Sequence, residues 1–148
     1  MSVTFRAAVA GDLPAILALL RDDILGATRE DADADRYRAG FDAIAAEPHN
    51  AVIVGTRSGR IVATYQLTLI SGLALRAARR AQIEGVRVAA DLRGQGLGTA
   101  LVADAEARAR AAGCALLQLT MNRGRGDAHR FYEAAGFEAS HIGFKRVL

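Results

Sequence analysis

Apolar and polar positions alternate along some stretches of this chain and recur every three to four residues along others, the signatures of strand and helix. Residues 3–8 read as a short opening strand. Asp12 then stands as a helix N-cap, Pro14 falls in the first turn, and Ile16, Leu17 and Leu20 form an apolar stripe. A second helix is expected over 32–47, with Tyr37, Phe41 and Ile44 on one side. Its acidic start (Glu30, Asp31, Asp33, Asp35) suits the positive end of a helix dipole, and Pro48 stops it.

Two β-rich runs follow, 51–57 and 60–70, joined at Ser58-Gly59 as a hairpin. The longer run puts Ile61, Ala63, Tyr65, Leu67 and Leu69 on one face and Thr64, Gln66 and Thr68 on the other. Residues 71–81 read as a loop carrying Arg76, Arg79 and Arg80. In the next strand, 82–89, the parity breaks: Ile83 is odd, whereas Val86 and Val88 are even. One extra residue at Gly85, a β-bulge, returns all three to one face and leaves Glu84 and Arg87 on the other. A helix is expected over 96–112, burying Leu97, Leu101, Ala105 and Ala109, with outer pairs Asp104–Arg108 and Glu106–Arg110 and Gly113 just past its end. Strand 115–121, helix 127–135 stopped by Gly136, and strands 138–140 and 142–147 complete the chain. Strands and helices mix without strict alternation, which predicts an α+β or mixed α/β layer fold in a single domain over residues 1–148.

Composition narrows the classes. The 148 residues are 51% hydrophobic and 24% charged, with a formal net charge of +3. All basic side chains except Lys145 are Arg, scattered instead of forming a block with interleaved aromatics, so a nucleic-acid partner is not expected. No apolar run reaches the ~20 residues that cross a bilayer, and no leader segment is evident. The expected compartment is therefore the cytoplasm, which suits the lone Cys114, read as a structural thiol between helix and strand. His49, His129 and His141 match no zinc spacing, and no metal is expected.

The chemistry concentrates between the bulged strand and the next helix. Gly94, Gly96 and Gly98 occupy alternate positions there, within Arg93, Gly94, Gln95, Gly96, Leu97, Gly98 and Thr99. Glycine lets backbone approach an anion, and the first amides of a helix lack internal acceptors, so this run reads as a pyrophosphate grip, with Arg93 free to add a charge-assisted bond. The P-loop pattern fails for want of a lysine before Thr99, and the dinucleotide fingerprint fails on the spacing of its last glycine.

Arg93, Gly96 and Gly98 match the fixed positions of the Gln/Arg-x-x-Gly-x-Gly/Ala loop that follows the fourth strand in the GNAT superfamily of N-acetyltransferases. The strand IEGVRV (83–88) resembles that family's bulged strand. Asn122 followed by AHRFYEAAGF (128–137) is similar to its second cofactor segment, with Tyr132 in the tyrosine position. Ala90 departs from the proline many members carry. The resemblance spans nearly the whole chain and implies a central, mostly antiparallel mixed sheet of about seven strands flanked by about four helices, splayed between strands 4 and 5. It implies acetyl-CoA as cosubstrate, with pantetheine on the backbone of Val86 and Val88, pyrophosphate on the amides of Arg93 to Thr99, and Asn122 and Tyr132 near the thioester. It further implies direct attack by an amine of a small molecule or a protein, and it is compatible with a homodimer.

Within that reading, Glu84 is the candidate general base, and the alternative is an inert pair with Arg87. Tyr132 is the candidate acid for the departing thiolate, and the alternative is a core aromatic beside Phe131. The Val88 amide is a candidate donor to the thioester carbonyl. Arg76, Arg79 and Arg80 either recognise an acidic group on the acceptor or belong to a solvated loop. The competing function is a CoA-binding regulatory domain without turnover, which needs neither Glu84 nor Tyr132.

Overall fold

The alternating run predicted over 60–70 becomes the middle strand of one open sheet. A computed structural model describes residues 2–22 and 33–148. Within them the strands are β1 (Thr4–Ala7), β2 (Asn50–Arg57), β3 (Arg60–Ile70), β4 (Arg80–Val88) and β5 (Leu116–Leu119), in the order β1-β2-β3-β4-β5. Neighbours are antiparallel except β4 and β5, which are parallel. The helices are α1 (Leu13–Arg21), α2 (Ala34–Ala46), α3 (Leu97–Ala111) and α4 (Gly126–Ala134). The sequence reading thus gives the α+β class and four helices, but the sheet has five strands among the described residues, not about seven.

The two missing strands are those expected at 138–140 and 142–147. Residues 138–148 form no regular secondary structure and all are exposed. A strand persists only where its backbone groups meet a ladder, and here none is formed. The segment approaches the sheet at Gly143, where an added methyl group would lie 3.8 Å from the Thr120 Cγ2.

Alternation decides which side of the sheet is which. Ile53, Ala63, Tyr65, Leu67 and Ile83 pack against Leu101, Ala105 and Ala109 of α3, the helix face read from the sequence. On the opposite side Val62 packs with Leu19 of α1. The Tyr65 hydroxyl, on a side chain only 1% exposed, donates to Asp104 (2.5 Å). Arg108 Nε donates to the same carboxylate (2.8 Å), so the buried phenol has an ionic anchor. The second outer pair, Glu106–Arg110, also forms.

Local signals held unevenly. Ser58 and Gly59 make the expected turn, both with positive φ. Gly113 follows α3, and the Cys114 amide donates back to Ala109 O. Cys114 is partly buried against the core, consistent with a structural thiol. Asp12 does precede α1, but its carboxylate does not cap it. It accepts from the Val9 amide (2.8 Å) and from both terminal nitrogens of Arg6 (2.6 and 2.9 Å), closing the single turn before the helix. Asp33 is the true side-chain cap of α2, accepting from the Arg36 amide; Glu30, Asp31 and Ala32 lie outside the described residues. No helix among the described residues is long and apolar enough to cross a membrane.

Candidate active site

The bulge comes first, because it sets the aim of everything on β4. Thr64 pairs with Arg87 and Gln66 with Glu84, so Gly85 and Val86 together oppose Tyr65. Gly85 sits at φ +58°, a conformation that L side chains rarely adopt. The extra residue returns Val86 and Val88 to the core face beside Ile83, as the parity break predicted. Glu84 shares a face with its cross-strand partner Gln66, which lines a cavity beneath α1 and α2.

The same strand opens the sheet. The parallel ladder between β4 and β5 runs from Arg80↔Leu116 to Ile83↔Leu119 and stops, while β4 continues to Val88. From Glu84 to Val88 the β5-facing edge of β4 has no ladder partner among the described residues. The ladder thus ends where a splay is expected between the fourth and fifth strands, and beyond its end Val86 O accepts from Arg87 (2.9 Å) and Val88 O from Arg93 (3.4 Å).

At the far end of β4 the glycine loop turns into α3. Gly94 and Gly96 hold φ of +76° and +79°, and nothing lies within 4 Å of where a Cβ would stand on either. Gly96 is the N-cap of α3, and the Ala100 amide is the first to close a helical bond, to Gly96 O. The amides of Leu97, Gly98 and Thr99 precede that bond and have no acceptor behind them in the helix. With the dipole of a 15-residue helix they form an anion-binding end. Gly98 has a different reason to be glycine: a methyl there would sit 3.0 Å from Phe131 Cζ and 3.2 Å from Cε2. It lets α4 close onto the start of α3.

Arg93, expected as a free cation at the loop entrance, is tied down. Its Nε donates to Val88 O (3.4 Å) and a terminal nitrogen donates to Asp22 O (3.0 Å), linking loop, strand and the end of α1. Gln95 accepts from Arg57 and donates to Asp91 O, and Asp91 holds Arg60 through two bonds. Sequence reading did not find these tethers, of which Arg60 to Asp91, Arg57 to Gln95 and Arg93 to Asp22 O span 31, 38 and 71 positions.

Tyr132 is half-buried on α4. Its ring meets Phe131 (centroids 5.1 Å) and Phe137 (5.6 Å) edge to face. Burial raises its phenol above the ordinary range, partly offset by the positive charges of Arg125 and Arg87. Asn122 is exposed after β5, and its Oδ1 accepts from the Gly124 amide in a local turn. Glu84 is exposed and forms no ion pair with Arg87, and no hydrogen bond joins it to Tyr132.

The cavity of about 230 Å³ under α1 and α2 is lined by Leu17, Leu20, Tyr37, Phe41 and Ile44, with Gly85 and Gln66 as part of its wall on the sheet. The apolar stripes read from sequence on the first two helices therefore line a hollow beside the bulge. Arg76 and the loop arginines divide by role. Arg79 donates to Ala112 O (2.9 Å) and bonds His49 (3.2 Å), a structural clamp between a helix end and a loop. Arg80 opens β4, two residues before the predicted start, and Arg76 sits at φ +61° in the loop turn Ala74–Ala77. No group of three or more metal-ligating side chains forms among the described residues.

Comparison with known proteins places these features in context. The model of the "Acetyltransferase (GNAT) family" matches residues 15–137, which include the bulged strand, the glycine loop and α4. The aminoalkylphosphonate N-acetyltransferase of Salmonella typhimurium is 32% identical over 97% of this chain and 90% of its own length. A solved structure from Bacillus halodurans C-125, described as a transcriptional regulator, is 41% identical and superposes with a TM-score of 0.95 over 99% of this chain and 100% of that one. AAC(6')-Iy bound to a CoA bisubstrate analogue matches at 16% identity and a TM-score of 0.81, covering 100% of this chain and 99% of that one, a likeness of fold alone.

Proposed function

The chain belongs to the GNAT acetyltransferase family of acetyl-CoA-dependent N-acetyltransferases, and from that premise we propose how its own residues divide the work. The observation that carries the reading is the coincidence of an unpaired β4 edge with a helix N-terminus at its end. Pantetheine carries amides that suit the backbone groups of Val86 and Val88. The pyrophosphate suits the amides of Gly94, Gln95, Gly96, Leu97, Gly98 and Thr99, with Arg93 bracing the loop rather than gripping the anion. Asn122, which follows β5, suits the thioester end of the pantetheine arm.

The acceptor amine approaches from the α1 and α2 side, where the cavity ends at Gly85. Glu84 takes the amine proton, directly or through a water, and the Val88 amide supports charge on the thioester oxygen. The amine nitrogen bonds to the acetyl carbon as the carbon–sulfur bond breaks, and Tyr132 returns a proton to the departing sulfur. A phenol held above its ordinary range by burial stays protonated at neutral pH and is ready for that role. The cavity is smaller than the ~300–1,000 Å³ of sites for drug-sized ligands, which favours a compact amine. The Salmonella relative acts on aminoalkylphosphonates, so short aliphatic amines carrying an anionic group are the first class to screen, with Arg36 at the cavity wall as a cationic contact.

The test is CoA thiol release over such a panel, followed by Glu84→Gln. A positioned base contributes about 10²–10⁴-fold, so kcat is expected to fall in that range with acetyl-CoA affinity kept. Thermal stabilisation by acetyl-CoA with no thiol release from any amine would instead favour a binding domain.

A further inference from the structure

Helix α2 carries an apolar stripe yet buries none of its 13 residues. Tyr37, Phe41 and Ile44 recur at helical spacing and line the cavity beneath α1, opposite Leu17 and Leu20. Residue 40 belongs to the same face, three after Tyr37 and four before Ile44, and it is glycine.

Neither usual reason for a glycine holds there. Gly40 has no positive φ. Nothing beyond the backbone of its own helix lies within 4 Å of where a Cβ would stand, in contrast to Gly98, where Phe131 excludes a methyl. Alanine would fit at residue 40 without strain, and the interior of a helix gains from that exchange. The chain forgoes the gain at a position on the cavity wall, and what the glycine keeps is open space.

That space has a definite chemistry. Among the described residues that line it only Arg36 carries a charge, and Gly85, one residue from Glu84, belongs to the same wall. Arg21, at the end of α1, lies over the Tyr37 ring (5.8 Å to its centroid), which holds the ring in place as wall. We infer that Gly40 is a specificity-determining residue that reserves the cavity for a branched alkyl or phenyl body on the acceptor amine. This rests on the acceptor site proposed above and names the class of amine it takes. Hydrocarbon walls gain by covering hydrocarbon, whereas a second ammonium among them would lose its hydration without a partner. A cavity of about 150 Å³ holds benzene, so about 230 Å³ accommodates a phenyl or isopentyl group.

Calorimetry in the presence of CoA measures acceptor binding without turnover, with ethylamine, isopentylamine and 1,4-diaminobutane as probes. The wild type should bind isopentylamine more tightly than ethylamine, by about fourfold for each added carbon, and more tightly than the diamine of similar length. Gly40→Ala should raise the Tm by about 2–4 °C. Gly40→Leu, which fills the space, should erase the preference for isopentylamine over ethylamine while CoA affinity is kept. A fall in Tm with Gly40→Ala would mean that the space is not free and would overturn the assignment. So would a wild type without the preference, or a preference that survives Gly40→Leu. Thiol release is measured separately: its absence with every amine counts against acetyl transfer and leaves the size filter standing, whereas release without the isopentylamine preference removes the filter alone.

Discussion

Gly98→Ala tests whether the third glycine of the loop is there for packing and not for the ligand. The methyl group would stand 3.0 and 3.2 Å from two atoms of the Phe131 ring, where carbon atoms prefer about 3.5–4.0 Å. One partner must give by about half an ångström. The ring has little freedom, since it meets Tyr132, which in turn meets Phe137. Overpacking of this kind costs about 1–3 kcal/mol, while alanine regains up to about 1 kcal/mol over glycine inside a helix. The single variant therefore loses only about 0–2 kcal/mol, too ambiguous to decide the question.

A double-mutant cycle removes the ambiguity. Phe131→Leu withdraws the ring edge, so the clash disappears in the double variant while the helix propensity change remains. Urea unfolding of the four proteins should give a favourable coupling of about 1–2 kcal/mol between the two sites. Gly96→Ala is the control: its methyl meets nothing within 4 Å and its cost, about 1–2 kcal/mol, is that of a left-handed residue alone, so it should add to Phe131→Leu without coupling. The cycle also carries a functional readout. Displacing α4 moves Tyr132, so Gly98→Ala should lower kcat more than it weakens acetyl-CoA binding. Additivity of Gly98→Ala with Phe131→Leu within about 0.5 kcal/mol would refute the packing account.

Tyr132→Phe should lower kcat while leaving acetyl-CoA affinity intact, and loss of affinity with kcat retained would recast the residue as packing. Because burial raises the phenols of both Tyr132 and Tyr65, the native state binds protons more tightly than the unfolded chain. Stability is therefore fully present below the ordinary tyrosine range of about 10 and falls as pH rises above it, which alkaline titration of the Tm checks. On the acid side Arg6 holds the Asp12 carboxyl below its usual range, so its contribution is present above about pH 4 and is lost as pH falls through the lowered value. Asp12→Ala should cost about 1–3 kcal/mol at neutral pH, read by urea unfolding, from the charge-assisted bonds to Arg6 and the Val9 amide.

What the sequence disclosed follows from the range of each interaction. The bulge was legible because a parity break between Ile83 and Val86 is a local count, and the anion-binding end of α3 was legible because Gly96 and its helix are neighbours in the chain. The tether from Arg93 to Asp22 O was not, since backbone carbonyls carry no sequence signature and the partners lie 71 positions apart. The apolar stripes of α1 and α2 were legible but not what they face, because period alone cannot tell a face that meets a neighbour from one that lines a hollow. The strand pattern over 142–147 shows the same limit from the other side. Alternation states that a segment will pair and bury one face; it does not state with what.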